Sequence, residues 1–122
     1  MKQVLFVGLG GAAGSMLRYL TSVVTLKYYS ASFPLATLVV NVVGCFLAGL
    51  IFASITQETA DAQNLKVLLL TGFCGGFTTF SAFALENVRL MNSGNLSTAI
   101  VYSVVSLVAG LLAAWLGLSV VR

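Results

Sequence analysis

The stretch Thr71-Gly72-Phe73-Cys74-Gly75-Gly76-Phe77-Thr78-Thr79-Phe80-Ser81-Ala82-Phe83 lies midway along an apolar segment long enough to cross a bilayer. Three glycines fall within five residues and two threonines follow. Each Gly in a helix interior costs up to about 1 kcal/mol relative to Ala, so this string predicts a break or an unwound turn in the third span. Irregular backbone at membrane depth persists only where it is buried in protein, wetted or bound to an ion. Freed carbonyls of discontinuous membrane helices commonly hold Na⁺. Close packing of the glycines in an unbroken helix is the other reading. Phe77, Phe80 and Phe83 then recur at three-residue spacing, with Ser81 between the last two. Aromatic residues so placed usually face lipid or core, but a phenyl ring has a positive edge. Edges turned into a narrow pore meet a small anion without a fixed charge that would trap it.

The composition around this string excludes a soluble domain. Of 122 residues, 59% are hydrophobic and 7% charged, with six Lys or Arg against three Asp or Glu. A soluble domain carries about a quarter charged residues, and a small one has the most surface to cover. At about 20 apolar residues per crossing, the chain is expected to be an all-α membrane protein, one domain over 1–122, with spans near 4–26, 35–55, 66–89 and 98–121. Thr56 to Asn64 reads as the most polar loop, and Met91 to Ser97 as a turn. Lys2, the first apolar run and Ala12-Ala13-Gly14 have the outline of a signal peptide. The apolar pattern continues past it, however, and its removal would leave an odd number of spans.

Enzyme chemistry finds few groups here. The absence of His leaves no imidazole base, no Ser/His/Asp triad and no His-ligated metal. Glu58, Asp61 and Glu86 are scattered, and Cys45 and Cys74 lack CxxC spacing and read as small buried hydrophobes. The cations lie too far apart for a nucleic-acid patch.

Their distribution carries another implication. With four spans, Lys2, Lys66 and Arg122 belong to one side, while Arg18, Lys27 and Arg89 belong to the other or lie near its interface, three against three. Excess Lys and Arg in short loops sets orientation, so a tie predicts weak preference and insertion both ways. Two opposed copies then build a two-fold dimer with its axis in the membrane plane. An ordinary protein oriented by one or two charges is the competing reading. Four short helices leave little volume for a conduit, so oligomerisation is expected either way.

Each remaining span has a marked face. Val4 to Gly14 imitates a dinucleotide fingerprint through Gly8, Gly10 and Ala13, but lacks the soluble βαβ context and the acidic residue that give that motif meaning. In a membrane helix, Gly10-x-x-x-Gly14 instead lets another backbone approach. Arg18, one turn on, is costly in a span and marks function or an assembly contact; it suits a vestibule or a structural role. Thr37, Asn41, Gly44, Cys45 and Ala48 form a small polar stripe on the second span, in which the Asn41 amide either bonds a neighbouring helix or faces a wet path. Tyr102, Ser106 and Gly110, beside Ser103, offer hydroxyl donors on the fourth span or simply pack it.

These groups are neutral donors, ring edges and one Arg, with Glu86 the one carboxylate near a span. A cation path would want acidic rings, so the balance favours a small anion. A small proton-coupled multidrug exporter would need a mid-membrane carboxylate, which the first span lacks and which Glu86, toward an end of the third, does not supply. A structural or assembly protein, with every polar position acting as helix glue, is the alternative from a different class.

GFCGGFTTFSAF (Gly72 to Phe83) closely resembles the signature of the CrcB/Fluc fluoride channels, and GGAAGSMLRY (Gly10 to Tyr19) and TLVVNVVGCFLAG (Thr37 to Gly49) are similar to that family's first- and second-span motifs. The resemblance covers essentially the whole chain. Departures are small: Ala82 stands where Thr is common, Ala36 where Gly is common and Ser15 where Ala is common. The resemblance implies a passive fluoride channel of the bacterial inner membrane, not an enzyme, that lowers fluoride toxicity. It implies a dual-topology antiparallel homodimer with two pores, with the lipid bilayer, fluoride and a second copy as partners and no nucleic acid. By matching positions, Phe80 and Phe83 are expected as pore rings, Asn41 as a polar pore residue, and Tyr102 and Ser106 as pore-side groups; Ser81, as a neutral donor between the rings, is expected in the pore with them. The backbone carbonyls of Gly75 and Thr78 from both subunits are expected to hold a structural Na⁺, and Arg18 is expected at a vestibule or in a structural role.

Overall fold

The computed structural model describes residues 1–122 and is all-helical. Helix α1 runs over Lys2–Tyr28 and α2 over Leu35–Ser54. The third span is composite: α3 (Ala60–Lys66), a π-helical stretch (Val67–Cys74), the single turn α4 (Gly75–Phe77) and, after a break, α5 (Phe80–Asn92). Helix α6 (Leu96–Val120) completes the chain. The stretches Lys2–Tyr28, Leu35–Ser54, Ala60–Asn92 and Leu96–Val120 are each long and apolar enough to cross a bilayer.

The third helix starts earlier than the sequence pattern indicated, at Ala60 rather than Lys66. Thr59 is the reason. Its hydroxyl accepts from the Ala62 amide at 3.2 Å, and Asp61 follows in the first turn, where the helix dipole favours a negative charge. At the far end, α5 and α6 are joined by a tight turn in which Gly94 takes φ +83°, the one positive φ in the chain.

Glycine decides how closely the spans pack. A methyl group at Gly10 would collide with the backbone of Leu68 and Phe73, and one at Gly14 with that of Phe73 and Phe77. Helix α1 therefore lies backbone to backbone against the π stretch and α4, as the Gly10-x-x-x-Gly14 spacing predicts. On the opposite side, Gly49 of α2 meets the Ala114 carbonyl, and Gly117 of α6 meets that of Phe46. Only 15 of 122 residues are buried; the core is thin and leucines and valines point outward, as suits a chain solvated by lipid or by a second copy of itself.

The expected break is present, but not at the glycines. Gly72, Gly75 and Gly76 stay helical, and the chain turns extended at Thr78 (φ −85°, ψ 160°) and Thr79 (φ −152°, ψ 123°). Gly72 and Gly76 serve the close approach of α1, since a methyl group at either would press on Val7, Gly10 or Gly11. The helix is therefore broken, as the first reading has it, while the glycines themselves take the close-packing role of the second: packing belongs to the glycines and the break to the threonines.

Candidate functional site at the broken third span

The break frees backbone groups, and side chains from the neighbouring spans take up several of them. The Asn41 side chain on α2 lies alongside Thr79 as a strand neighbour would. Thr79 N donates to its Oδ1 at 2.8 Å, and its Nδ2 donates to Thr79 O at 3.1 Å. One turn on, Gly44 leaves room for the Thr78 methyl group, which a side chain there would strike. Arg18 on α1 donates from Nε to Gly76 O at 2.9 Å, so this cation sits inside the span on a helix-end carbonyl. With Arg18 held on the backbone, the cations nearer the chain's ends and loops are Lys2, Lys66 and Arg122 against Lys27 and Arg89. Both the amide and the hydroxyl of Thr78 donate to Cys74 O, at 2.9 and 2.8 Å. Thr79 Oγ1 caps α5 by accepting from Ala82 N at 3.2 Å.

Two carbonyls are passed over. The amides four residues beyond Gly75 and Thr78 are those of Thr79 and Ala82, which are committed to Asn41 Oδ1 and Thr79 Oγ1. Gly75 is also exposed, and a methyl group there would touch nothing closer than Leu70 O at 3.9 Å. No cluster of His, Cys, Asp or Glu offers side-chain ligands to a metal. A hard cation held here would rest on such carbonyl oxygens.

Beside the break opens a cavity of about 330 Å³ lined by Asn41, Thr79, Phe80, Phe83, Ser106 and Gly110, among others, none of them charged. It brings together four of the six expected pore residues. The Phe80 and Phe83 rings lie 5.8 Å apart, and Phe80 is 79% exposed on the outside of the protomer. Ser106 Oγ is buried and without a partner. Asn41 uses one Nδ2 hydrogen on Thr79 and keeps the other. Ser81 lies outside this lining, exposed, with Oγ 3.3 Å from Thr79 Oγ1. Tyr102 is also outside it and fully buried, packed between Phe33 at 5.5 Å and Phe83 at 5.1 Å between centroids.

The Tyr102 hydroxyl has no partner in hydrogen-bond geometry, and its polar neighbours are Glu86 and Thr37. Those two are joined, Thr37 Oγ1 donating to Glu86 Oε1 at 2.7 Å. Both line a second cavity of about 470 Å³, near the α1–α2 and α5–α6 connections, together with Arg89, Ser93 and Asn95. A row of polar groups and rings therefore runs from this cavity through Tyr102 and Phe83 to the first. Sequence reasoning missed Asn87, a buried amide whose Nδ2 donates to Phe83 O at 3.0 Å and whose Oδ1 accepts from Ser103 Oγ at 3.1 Å. Its signal was available: an amide inside a span, one turn after Phe83.

The sequence pattern of the family described as CrcB-like protein, Camphor Resistance (CrcB), matches residues 5–118. The chain belongs to this family. Similar CrcB-family proteins include one from Flavobacterium psychrophilum, 45% identical over 122 residues, covering 100% of this chain and 98% of the relative. Another, from Azobacteroides pseudotrichonymphae, is 41% identical over 117 residues, 96% of this chain and 94% of the relative. A third, from Methylobacillus flagellatus, is 43% identical over 123 residues, 100% and 96% of the two chains. All three are named fluoride-specific ion channel FluC. The CrcB match takes in nearly all of α1 and α6 and the whole of the break, so both cavities lie within the shared region.

Proposed function

We propose that this chain forms a passive, fluoride-selective ion channel that lets fluoride leave the cytoplasm and so lowers its toxicity. It is an ion channel and not an enzyme. The observation that carries this reading is the uncharged cavity at the break, in which Asn41, Ser106, Phe80 and Phe83 converge, within a chain whose full-length relatives are named fluoride-specific channels. A fixed positive group in such a cavity would hold a small anion too long; an amide hydrogen, a hydroxyl and ring edges offer weak successive sites. A path narrow enough to strip water favours the anion for which those donors are best placed. Tyr102, with a buried unpartnered hydroxyl, stands between the two cavities, and Ser81 lies on the exposed side of the break.

No energy source is required. Neutral HF crosses a bilayer and ionises in a less acidic cytoplasm, and an inside-negative potential favours anion exit by about 2.3 kcal/mol per 100 mV. The seat is a multi-pass position in the bacterial inner membrane. The working unit is an antiparallel homodimer, one copy inserted each way. Support comes from the near balance of Lys2, Lys66 and Arg122 against Lys27 and Arg89, and from Phe80, whose outward ring leaves one wall of the cavity for a second copy to supply. The carbonyls of Gly75 and Thr78, both without their helical donors, fit a structural Na⁺, which supplies positive charge where two copies meet.

The test is fluoride efflux from proteoliposomes, with chloride run beside it. Rapid fluoride loss with chloride retained is expected. No fluoride current, or an equal chloride current, removes the channel reading.

A further inference from the structure

The larger cavity raises a question that the uncharged one does not. Of the residues lining it, Glu86 and Arg89 alone carry charge. They lie one turn apart on α5, and Arg89 is exposed while Glu86 is half-buried and tied to Thr37. A carboxylate at the mouth of an anion path repels what the path conducts. The other lining groups, such as Ser22, Thr25, Ser93 and Asn95, are neutral and cannot offset it. None of the other five cations lines this cavity: Lys2 and Arg122 lie near the ends of the chain, Arg18 is held on Gly76 O, Lys27 lies over the Tyr28 ring, and Lys66 lies over the Phe52 ring.

On the reading given above, we propose that Arg89 is the electrostatic gate-keeper of this mouth: its guanidinium offsets the Glu86 carboxylate and raises the local fluoride concentration, setting how fast the ion is taken up. Between low-dielectric walls a fixed charge acts strongly on the local concentration of a mobile ion, and without Arg89 the lining would carry the Glu86 charge alone. Arg89 acts on the approach of fluoride and not on its passage through the ring-lined cavity, which it does not border. Selectivity is therefore left unchanged while the rate is not. The effect also depends on ionic strength, because the screening length falls from about 30 Å at 0.01 M to about 3 Å at 1 M salt.

The experiment uses the full-length chain in proteoliposomes and compares wild type with Arg89→Gln and Arg89→Lys at low and high concentrations of an impermeant salt. Arg89→Gln is expected to lower fluoride flux about threefold or more at 0.01 M, with the gap closing to less than about 1.5-fold at 1 M. Arg89→Lys is expected to restore flux at both, and chloride exclusion is expected to stay intact in all three. A deficit in Arg89→Gln that is equal at both salt concentrations, or that Lys does not restore, reports a packing role and overturns the proposal. So does flux equal to wild type throughout. Wild-type protein that passes no fluoride overturns the channel reading and this inference with it, whereas a conducting wild type with an unmoved Arg89→Gln overturns the inference alone. Size-exclusion profiles of the three proteins identify any loss that comes from assembly.

Discussion

Replacing Asn41 with Ala removes both of its bonds to Thr79, the amide donation into Oδ1 at 2.8 Å and the Nδ2 donation at 3.1 Å. Each such bond contributes about 1 kcal/mol net, and a backbone group left without a partner in a dry interior costs about 1–3 kcal/mol. Here the low end applies, because Thr79 borders the cavity and water can reach its orphaned groups. The expected loss is about 2 kcal/mol of stability per protomer. Asn41→Asp separates the roles of the amide. It keeps an acceptor for Thr79 N, so about half of that loss is expected, but it sets a fixed negative charge beside Phe80 and Phe83, so fluoride flux is expected to vanish. Stability is measured by denaturant titration in detergent, followed through the single tryptophan, Trp115 on α6, and flux in proteoliposomes. If Asn41→Ala unfolds within about 0.5 kcal/mol of wild type, a shift ordinary for surface changes, the amide does not hold the break and the reasoning fails, whatever happens to flux.

Other expectations follow from the same geometry. Gly14→Ala drives a methyl group into the backbone of Phe73 and Phe77 and should cost about 1–3 kcal/mol as overpacking. Gly110→Ala, whose methyl group would sit 3.6 Å from Cys45 Sγ, should leave stability unchanged and narrow the cavity; equal losses in the two variants, read by the same titration, would contradict the packing described. Phe80→Ile and Phe83→Ile are expected to reduce fluoride flux at least tenfold while the dimer still elutes intact, and unchanged flux would take the rings out of the path. Exchanging Na⁺ for a large organic cation during purification is expected to weaken dimerisation and flux together, and Gly75→Ala, which has room in the protomer, should reproduce that loss by crowding the proposed carbonyl site. A dimer indifferent to both changes would leave those carbonyls without a cation.

Much of the architecture is legible in the amino-acid sequence because it depends on quantities that add along the chain. Seven per cent charge over 122 residues admits only a membrane setting, and the lengths of the apolar runs place four spans to within a few residues. The one sizeable miss, at the start of the third span, came from reading Ala60–Asn64 as polar loop when a single Thr59 cap makes it helix. Gly10-x-x-x-Gly14 announced a close helix contact, and the clustered glycines and threonines announced a break. Their order could not say which residues would do which, because the glycines remain helical under the pressure of α1 and the break falls where Asn41, 38 residues away, captures the Thr79 amide.

Partner choice between helices belonged to the tertiary structure alone. Nothing local joins Thr37 to Glu86 across 49 residues, or Arg18 to Gly76 across 58, and those contacts decide that Arg18 serves the backbone while Arg89 stays free at a cavity mouth. The physical reason is that a hydrogen bond is won or lost over less than one ångström of interhelical register, whereas hydropathy tolerates a shift of a whole turn. The sequence alone determined that this chain has four apolar spans, and it pointed to a break in the third and to neutral donors suited to an anion. Which of those donors are used up in holding the break, and which are left facing the cavity, was decided only when the helices packed.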